Sequence, residues 1–148
     1  MTAHVYAARA VADRMAARGG GYLVNTASSA GLLSQVDSAP YAVSKRAAVG
    51  YAEWLAIKYA DTNVRVSVLC PQAVDTPMIQ DRPNSPGRLS GALMPPDDVA
   101  AKVLEAIREE RFLILSHEDT KDYMERKHVD IERWLRGMGR FRQKVLGS

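Results

Sequence analysis

The chain has 148 residues, enough to bury one sizeable core, and its 47% hydrophobic and 25% charged composition is that of an ordinary globular protein. Twenty Lys and Arg against seventeen Asp and Glu leave a formal charge of +3, too slight a surplus to argue for nucleic acid. The single Cys70 excludes an internal disulfide framework, and no stretch approaches the length of a membrane span, so a cytoplasmic protein is expected.

In chain order, MTAHVYAARAVADRMAARGG places Val5, Ala8, Val11, Ala12 and Met15 at spacings of three and four, which predicts an amphipathic helix. Gly19-Gly20-Gly21 stops it. YLVNTAS follows as a β-prone run, and residues 29–40 read as a loop. Pro40 then opens a second helix, YAVSKRAAVGYAEWLAIKYA, with apolar residues at helical period. Asp61-Thr62-Asn63 ends it, and VRVSVLC is a second β-branched run closed by Pro71. Strand, helix and strand within about 50 residues predict a parallel βαβ unit. Both strands lack clean alternation, so helices are expected on both faces of the sheet.

Residues 75–96 hold Pro77, Pro83, Pro86, Pro95 and Pro96 with Gly87 and Gly91, which reads as a long loop, a candidate lid made apolar by Met78, Leu93 and Met94. The acids at Asp97 and Asp98 start a helix expected to bury Val99, Val103 and Ile107. FLILSH is a third strand candidate, and the remainder looks helical almost to its end. There Ile131, Trp134, Met138, Phe141 and Val145 form an apolar stripe flanked by Arg133, Arg136, Arg140, Arg142 and Lys144. Gly137 and Gly139 weaken the helical prediction there. The predicted fold is α/β: a partial, doubly wound parallel sheet of Rossmann-like type. It has about three strands with flanking helices, in a single domain over 1–148 whose residues 118–148 are a helical extension.

Ligands of such sheets sit outside the carboxyl ends of the strands. Ser28 follows the first strand, Tyr41 opens the intervening helix, and Lys45 lies one turn further on the same face. A tyrosine ordinarily titrates near 10, and a neighbouring ammonium favours its phenolate. A serine hydroxyl can donate to a carbonyl or alkoxide oxygen. Such a trio suits proton transfer at an oxygen that gains or loses a hydride. It does not suit nucleophilic attack, since no histidine is positioned to activate Ser28. Singly, each signal is weak: Tyr and Lys four apart are common on helix surfaces. His4, His117 and His128 carry no metal-ligand spacing, so no metal site is predicted.

VNTASSAG, PYAVSK and VLCPQAVDTPM together resemble the short-chain dehydrogenase/reductase family. In that family the serine precedes the tyrosine by 13 residues, as Ser28 precedes Tyr41 here. The resemblance, over residues 1 to about 117, implies an oxidoreductase that moves a hydride between NAD or NADP and an alcohol or carbonyl. Tyr41 would be the acid/base, Lys45 its tuner and a ribose ligand, and Ser28 the donor that orients the substrate oxygen. Pro71, Val74 and Thr76 would meet the nicotinamide end of the cofactor. Gln72 stands where the family usually has glycine, and its side chain is expected to crowd that cofactor. The glycine-rich turn for the pyrophosphate is missing, so the resemblance is to the C-terminal half of such an enzyme, with the catalytic asparagine upstream of Met1. It also implies a homo-oligomer joined through helices 1–18 and 41–59, whose Ala7, Ala8, Ala12, Ala16, Ala47, Ala48 and Ala52 allow close approach. The substrate is expected to be small and apolar, with no nucleic acid or membrane partner. The competing expectation is a non-catalytic remnant or pairing module that binds no cofactor.

Overall fold

The computed structural model describes residues 2–81, 86–89 and 92–147; Met1, Pro83 and Gly91, which figure in the sequence reading, lie outside them. Helix α1 (Thr2–Ala17) leads into strand β1 (Gly21–Thr26), and helix α3 (Ala39–Lys58) crosses to strand β2 (Val64–Leu69), as a parallel βαβ unit should. The glycines between α1 and β1 act as a helix stop. Gly19 has φ +95°, and the Gly20 amide returns to the Met15 carbonyl at 2.9 Å. A Cβ at Gly20 would lie 2.7 Å from the Asn63 carbonyl oxygen, so the turn also needs glycine to let the two connections pass.

The sheet has the order β1-β2-β3, all parallel, with Gly21 opposite Val64 and Thr26 opposite Leu69. Only the central strand meets the expectation of burial on both faces: β2 is buried at five of its six positions, whereas β1 is an edge strand with Val24 exposed. Strand β3 (Leu113–Ile114) is shorter than FLILSH suggested. Its ladder reaches from the Val68 amide on the Phe112 carbonyl to the Cys70 amide on the Ile114 carbonyl.

The main core joins α1, α3 and the sheet through Ala8, Ala12, Ala48, Ala52, Leu55 and Val68. Four of the small residues expected to allow close helix approach, Ala8, Ala12, Ala48 and Ala52, are thus buried within the chain. A second cluster under α6 (Pro96–Arg108) holds Leu69, Val99, Ala106 and Ile114. Of the three side chains expected to be buried on that helix only Val99 is; Val103 and Ile107 are half-buried, and Ala106 takes the innermost position.

Three further elements depart from the sequence reading. Within 29–40 lies a short helix α2 (Ala30–Leu33). Within 75–96 lie α4 (Pro77–Gln80) and α5 (Pro86–Leu89). There Met94 does not belong to a lid: it bridges to Val74 and packs into the second cluster. The tail is two helices, α7 (Asp119–Val129) and α8 (Ile131–Leu146), broken at the extended Asp130, whose carboxylate accepts from the Arg133 amide at 2.9 Å as an N-cap. Helix α8 runs unbroken through Gly137 and Gly139.

Gln72, which lines the space beyond the sheet, has its side chain tied to the start of α7. Its amide donates to the Asp119 carboxylate at 2.7 Å and to the Thr120 hydroxyl at 2.8 Å. Thr120 is fully buried, so Gln72→Ala strands its hydroxyl and is expected to cost about 1–3 kcal/mol. Hydrogen exchange should then quicken in α7 and α8 before it does in β2; uniform exchange across both would show that Gln72 does not hold the tail.

Candidate active site

Beyond the carboxyl ends of β1 and β2 the chain lines a cavity of about 480 Å³, within the range of ligand pockets. The strands continue to hold one another past their ends. The Ala27 amide donates to the Leu69 carbonyl at 2.8 Å and the Ser29 amide to the Pro71 carbonyl at 2.9 Å. Ser28 is thereby held beside Pro71. Its hydroxyl oxygen accepts from the Ala30 amide at 3.1 Å, while its own proton has only a long, 3.5 Å contact to the Pro71 carbonyl. The hydroxyl is buried, oriented and weakly committed as a donor, which suits it to an incoming oxygen.

Tyr41 is placed by its helix cap. Ser38, in extended conformation, accepts from the Tyr41 amide at 3.4 Å, with Pro40 in the first turn. Tyr41 is 37% exposed and lines the cavity with Ser28. Lys45 does not line it; its ammonium lies 5.6 Å from the centroid of the Tyr41 ring, behind that side chain. No carboxylate lies within ion-pair distance of Lys45 among the described residues. Gly31 is what lets α2 lie against this helix: a Cβ there would be 2.6 Å from the Lys45 carbonyl oxygen.

Of the residues expected after the second strand, Pro71 touches Ser28, but Val74 and Thr76 lie outside the cavity lining, where Gln72 and Ala73 stand instead. Thr76 precedes α4, with its hydroxyl on the Val74 carbonyl at 3.3 Å. The Asn25 side-chain nitrogen is buried with no hydrogen-bond partner. His4 sits against Asn25 and Thr26; burial above all, with the nearby Lys45 among the smaller contributions, holds its ring below the usual histidine value. Cys70 is fully buried, and desolvation pushes its thiol up to about 11, which leaves it an inert core residue. His117 is tied by both ring nitrogens, to the Ser116 hydroxyl at 2.7 Å and the Ala92 carbonyl at 3.0 Å, and lies off the cavity.

The far wall comes from the tail: Tyr123 and Arg126 on α7, and Trp134, Met138 and Phe141 on α8. The tail's resemblance to C-terminal extensions of some short-chain dehydrogenases left it covering either the substrate mouth or a partner subunit, and its apolar stripe was plain; Tyr123 and Arg126 were not singled out. No helix among the described residues is long and apolar enough to cross a membrane.

A strand-helix-strand unit carrying Ser28, Tyr41 and Lys45 at one sheet edge is a Rossmann-like α/β architecture, and comparison with known proteins names its kind. The pattern of the short chain dehydrogenase family matches residues 1–86, and the chain belongs to that family. It is 38% identical over 132 residues to 1-deoxy-11-beta-hydroxypentalenate dehydrogenase from Streptomyces exfoliatus, covering 88% of this chain and 48% of that protein. A short chain dehydrogenase/reductase from Burkholderia phymatum, solved with NAD, superposes with a TM-score of 0.70 at 31% identity, over 86% of this chain and 54% of that one. A short chain dehydrogenase from Burkholderia cenocepacia, solved with NADP, shares the fold with a TM-score of 0.71 at 19% identity. The chain thus spans about half the length of the relatives it matches.

Proposed function

We propose that this chain carries the proton-transfer half of a nicotinamide-dependent oxidoreductase acting on an apolar alcohol or carbonyl compound. The observation that carries this reading is the convergence of Ser28 and Tyr41 on one cavity with the Lys45 ammonium behind the tyrosine, in a member of the short-chain dehydrogenase family. Ser28 donates to the substrate oxygen and orients it. Tyr41 gives a proton to that oxygen in reduction and takes it in oxidation. Lys45 places a positive charge beside the ring at which the proton is exchanged.

The residues present fit the nicotinamide and ribose end of such a cofactor. Lys45 without a carboxylate and the Asn25 nitrogen without a partner are both donors, suited to hydroxyl and amide oxygens. Pro71, Val74 and Thr76 flank the same strand end. When bound, the nicotinamide supplies or accepts the hydride. That NAD and NADP each accompany relatives of this chain supports the cofactor class and leaves the choice between them open to measurement. The apolar wall from α8 supports an apolar substrate.

Titrating the purified chain with NADH and NADPH, by nucleotide fluorescence with solution mass measured alongside, tests the reading. Saturable binding of either is expected; a folded chain that binds neither would favour a pairing module instead. That second reading has its own support: Val43, Trp54 and Ile57 on α3 and Tyr6 on α1 are 52–76% exposed, an apolar outer face for a second copy of the chain. A solution mass of one chain would sink the pairing.

A further inference from the structure

The cavity wall built by α7 and α8 contains a charge that proton transfer at Ser28 and Tyr41 does not use. Arg126 lines the cavity, with its guanidinium carbon 5.7 Å from the centroid of the Tyr123 ring one turn earlier on α7. Stacking of that kind occupies a face of the guanidinium and leaves its in-plane N–H groups available. No carboxylate lies within ion-pair distance of Arg126 among the described residues, although Asp122 and Asp130 stand one turn away on either side of it in sequence. Asp37 lines the same cavity and is not paired with Arg126. Between Arg126 and the Ser28–Tyr41 end the lining is largely apolar, with Leu33, Met78, Ile79, Trp134, Met138 and Phe141.

We propose that the cavity takes an apolar alcohol or carbonyl compound that also carries a carboxylate, and that Arg126 receives that carboxylate. The proposal deepens the oxidoreductase reading and rests on it for the end of the cavity where the reacting oxygen sits. The physical grounds are two. A planar fork of N–H donors matches a carboxylate with two parallel hydrogen bonds, stronger than neutral ones. Arg126 is itself exposed, so water and salt screen the pair in part, and the apolar lining of the cavity holds the rest of the ligand. Because Arg126 stands on α7, the same Gln72 contacts that hold that helix also hold the guanidinium over the cavity.

The test uses the fluorescence of Trp134, made the only tryptophan by a Trp54→Phe background, since the chain has two and Trp54 is exposed on α3. The probes are 4-oxodecanoate and its methyl ester, which differ in charge and hardly in apolar length. The acid is expected to bind roughly five- to twenty-fold more tightly than the ester at low salt. Arg126→Met, which keeps an apolar stem, should abolish that preference and leave ester binding unchanged. Asp37→Asn should leave the preference intact or widen it. Equal affinity for acid and ester in the parent, or a preference that survives Arg126→Met, overturns the proposal, as does the absence of saturable quenching by either probe. The catalytic reading is judged separately: turnover unchanged by loss of the Tyr41 hydroxyl would remove that reading while the carboxylate preference stood.

Discussion

Replacing Tyr41 with phenylalanine is expected to lower NAD(P)H-linked turnover of a carbonyl substrate by about 10²–10⁴-fold, the usual worth of a positioned acid/base. The substitution is selective because it spares nearly everything else Tyr41 does. The backbone amide still donates to Ser38, the ring still lies 5.6 Å from Lys45, and a side chain already 37% exposed loses little burial. Stability should therefore change by no more than about 0.5 kcal/mol, so a loss of rate cannot be blamed on unfolding. Pre-steady-state absorbance of the reduced nicotinamide, with a thermal melt of the same samples, checks both halves. A phenylalanine variant turning over within threefold of the parent would remove Tyr41 from the chemistry. A parent chain that binds cofactor yet turns over no carbonyl compound in a broad panel would turn attention to the pairing reading.

The second large effect is on stability and comes from a residue with no side chain. Gly31→Val is expected to cost about 3 kcal/mol or more, at the upper end for overpacking. A Cβ at Gly31 would stand 2.6 Å from the oxygen and 2.8 Å from the carbon of the Lys45 carbonyl, and 3.0 Å from a Val49 methyl. The nearest atoms are backbone of α3 rather than the tip of a flexible side chain, so relief requires α2 and α3 to move apart. Lys45 and Tyr41 ride on that helix and Ser28 borders the other, which means the same substitution should disturb the site geometry as well as the fold. Gly50 supplies the control: it lies in the interior of α3 with nothing within 4 Å of its built Cβ, and Gly50→Ala should stabilise by about 0.5–1 kcal/mol. Denaturant midpoints measured for the two variants should move in opposite directions. If Gly31→Val melts with the parent, the close crossing of α2 and α3 is not what holds them.

Leu32, which follows Gly31, ties α2 to two other helices. Its carbonyl accepts from both Arg46 on α3, at 2.9 Å, and Lys127 on α7, at 2.5 Å. Burial, and then the Arg46 charge, hold the Lys127 amine below its usual value. Together with Gln72, which grips the start of α7, this carbonyl anchors that helix near its end, and so fixes the wall from which Arg126 faces the cavity.

What could be read from sequence was local in origin. The amphipathic first helix with its glycine stop, the two β-branched runs and the helix between them depend on period, caps and turns a few residues long. Each is found within a few residues of its expected position. Ser28, Tyr41 and Lys45 could be singled out because two of them share a helix face and the third follows a strand, and the parallel unit brings strand end and helix start to one edge. What tertiary structure alone decided was where side chains from distant segments go. Gln72 reaches across 47 and 48 residues to Asp119 and Thr120, and nothing in its neighbours announces this. Helix α2 exists where a loop was expected because Gly31 can press on α3, a contact rather than a propensity. The apolar stripe of α8 was plain as periodicity, but that Trp134, Met138 and Phe141 close over Ser28 and Tyr41 follows from the break at Asp130 and the docking of α7. Periodicity reports which face of a helix is apolar; only packing determines what that face meets.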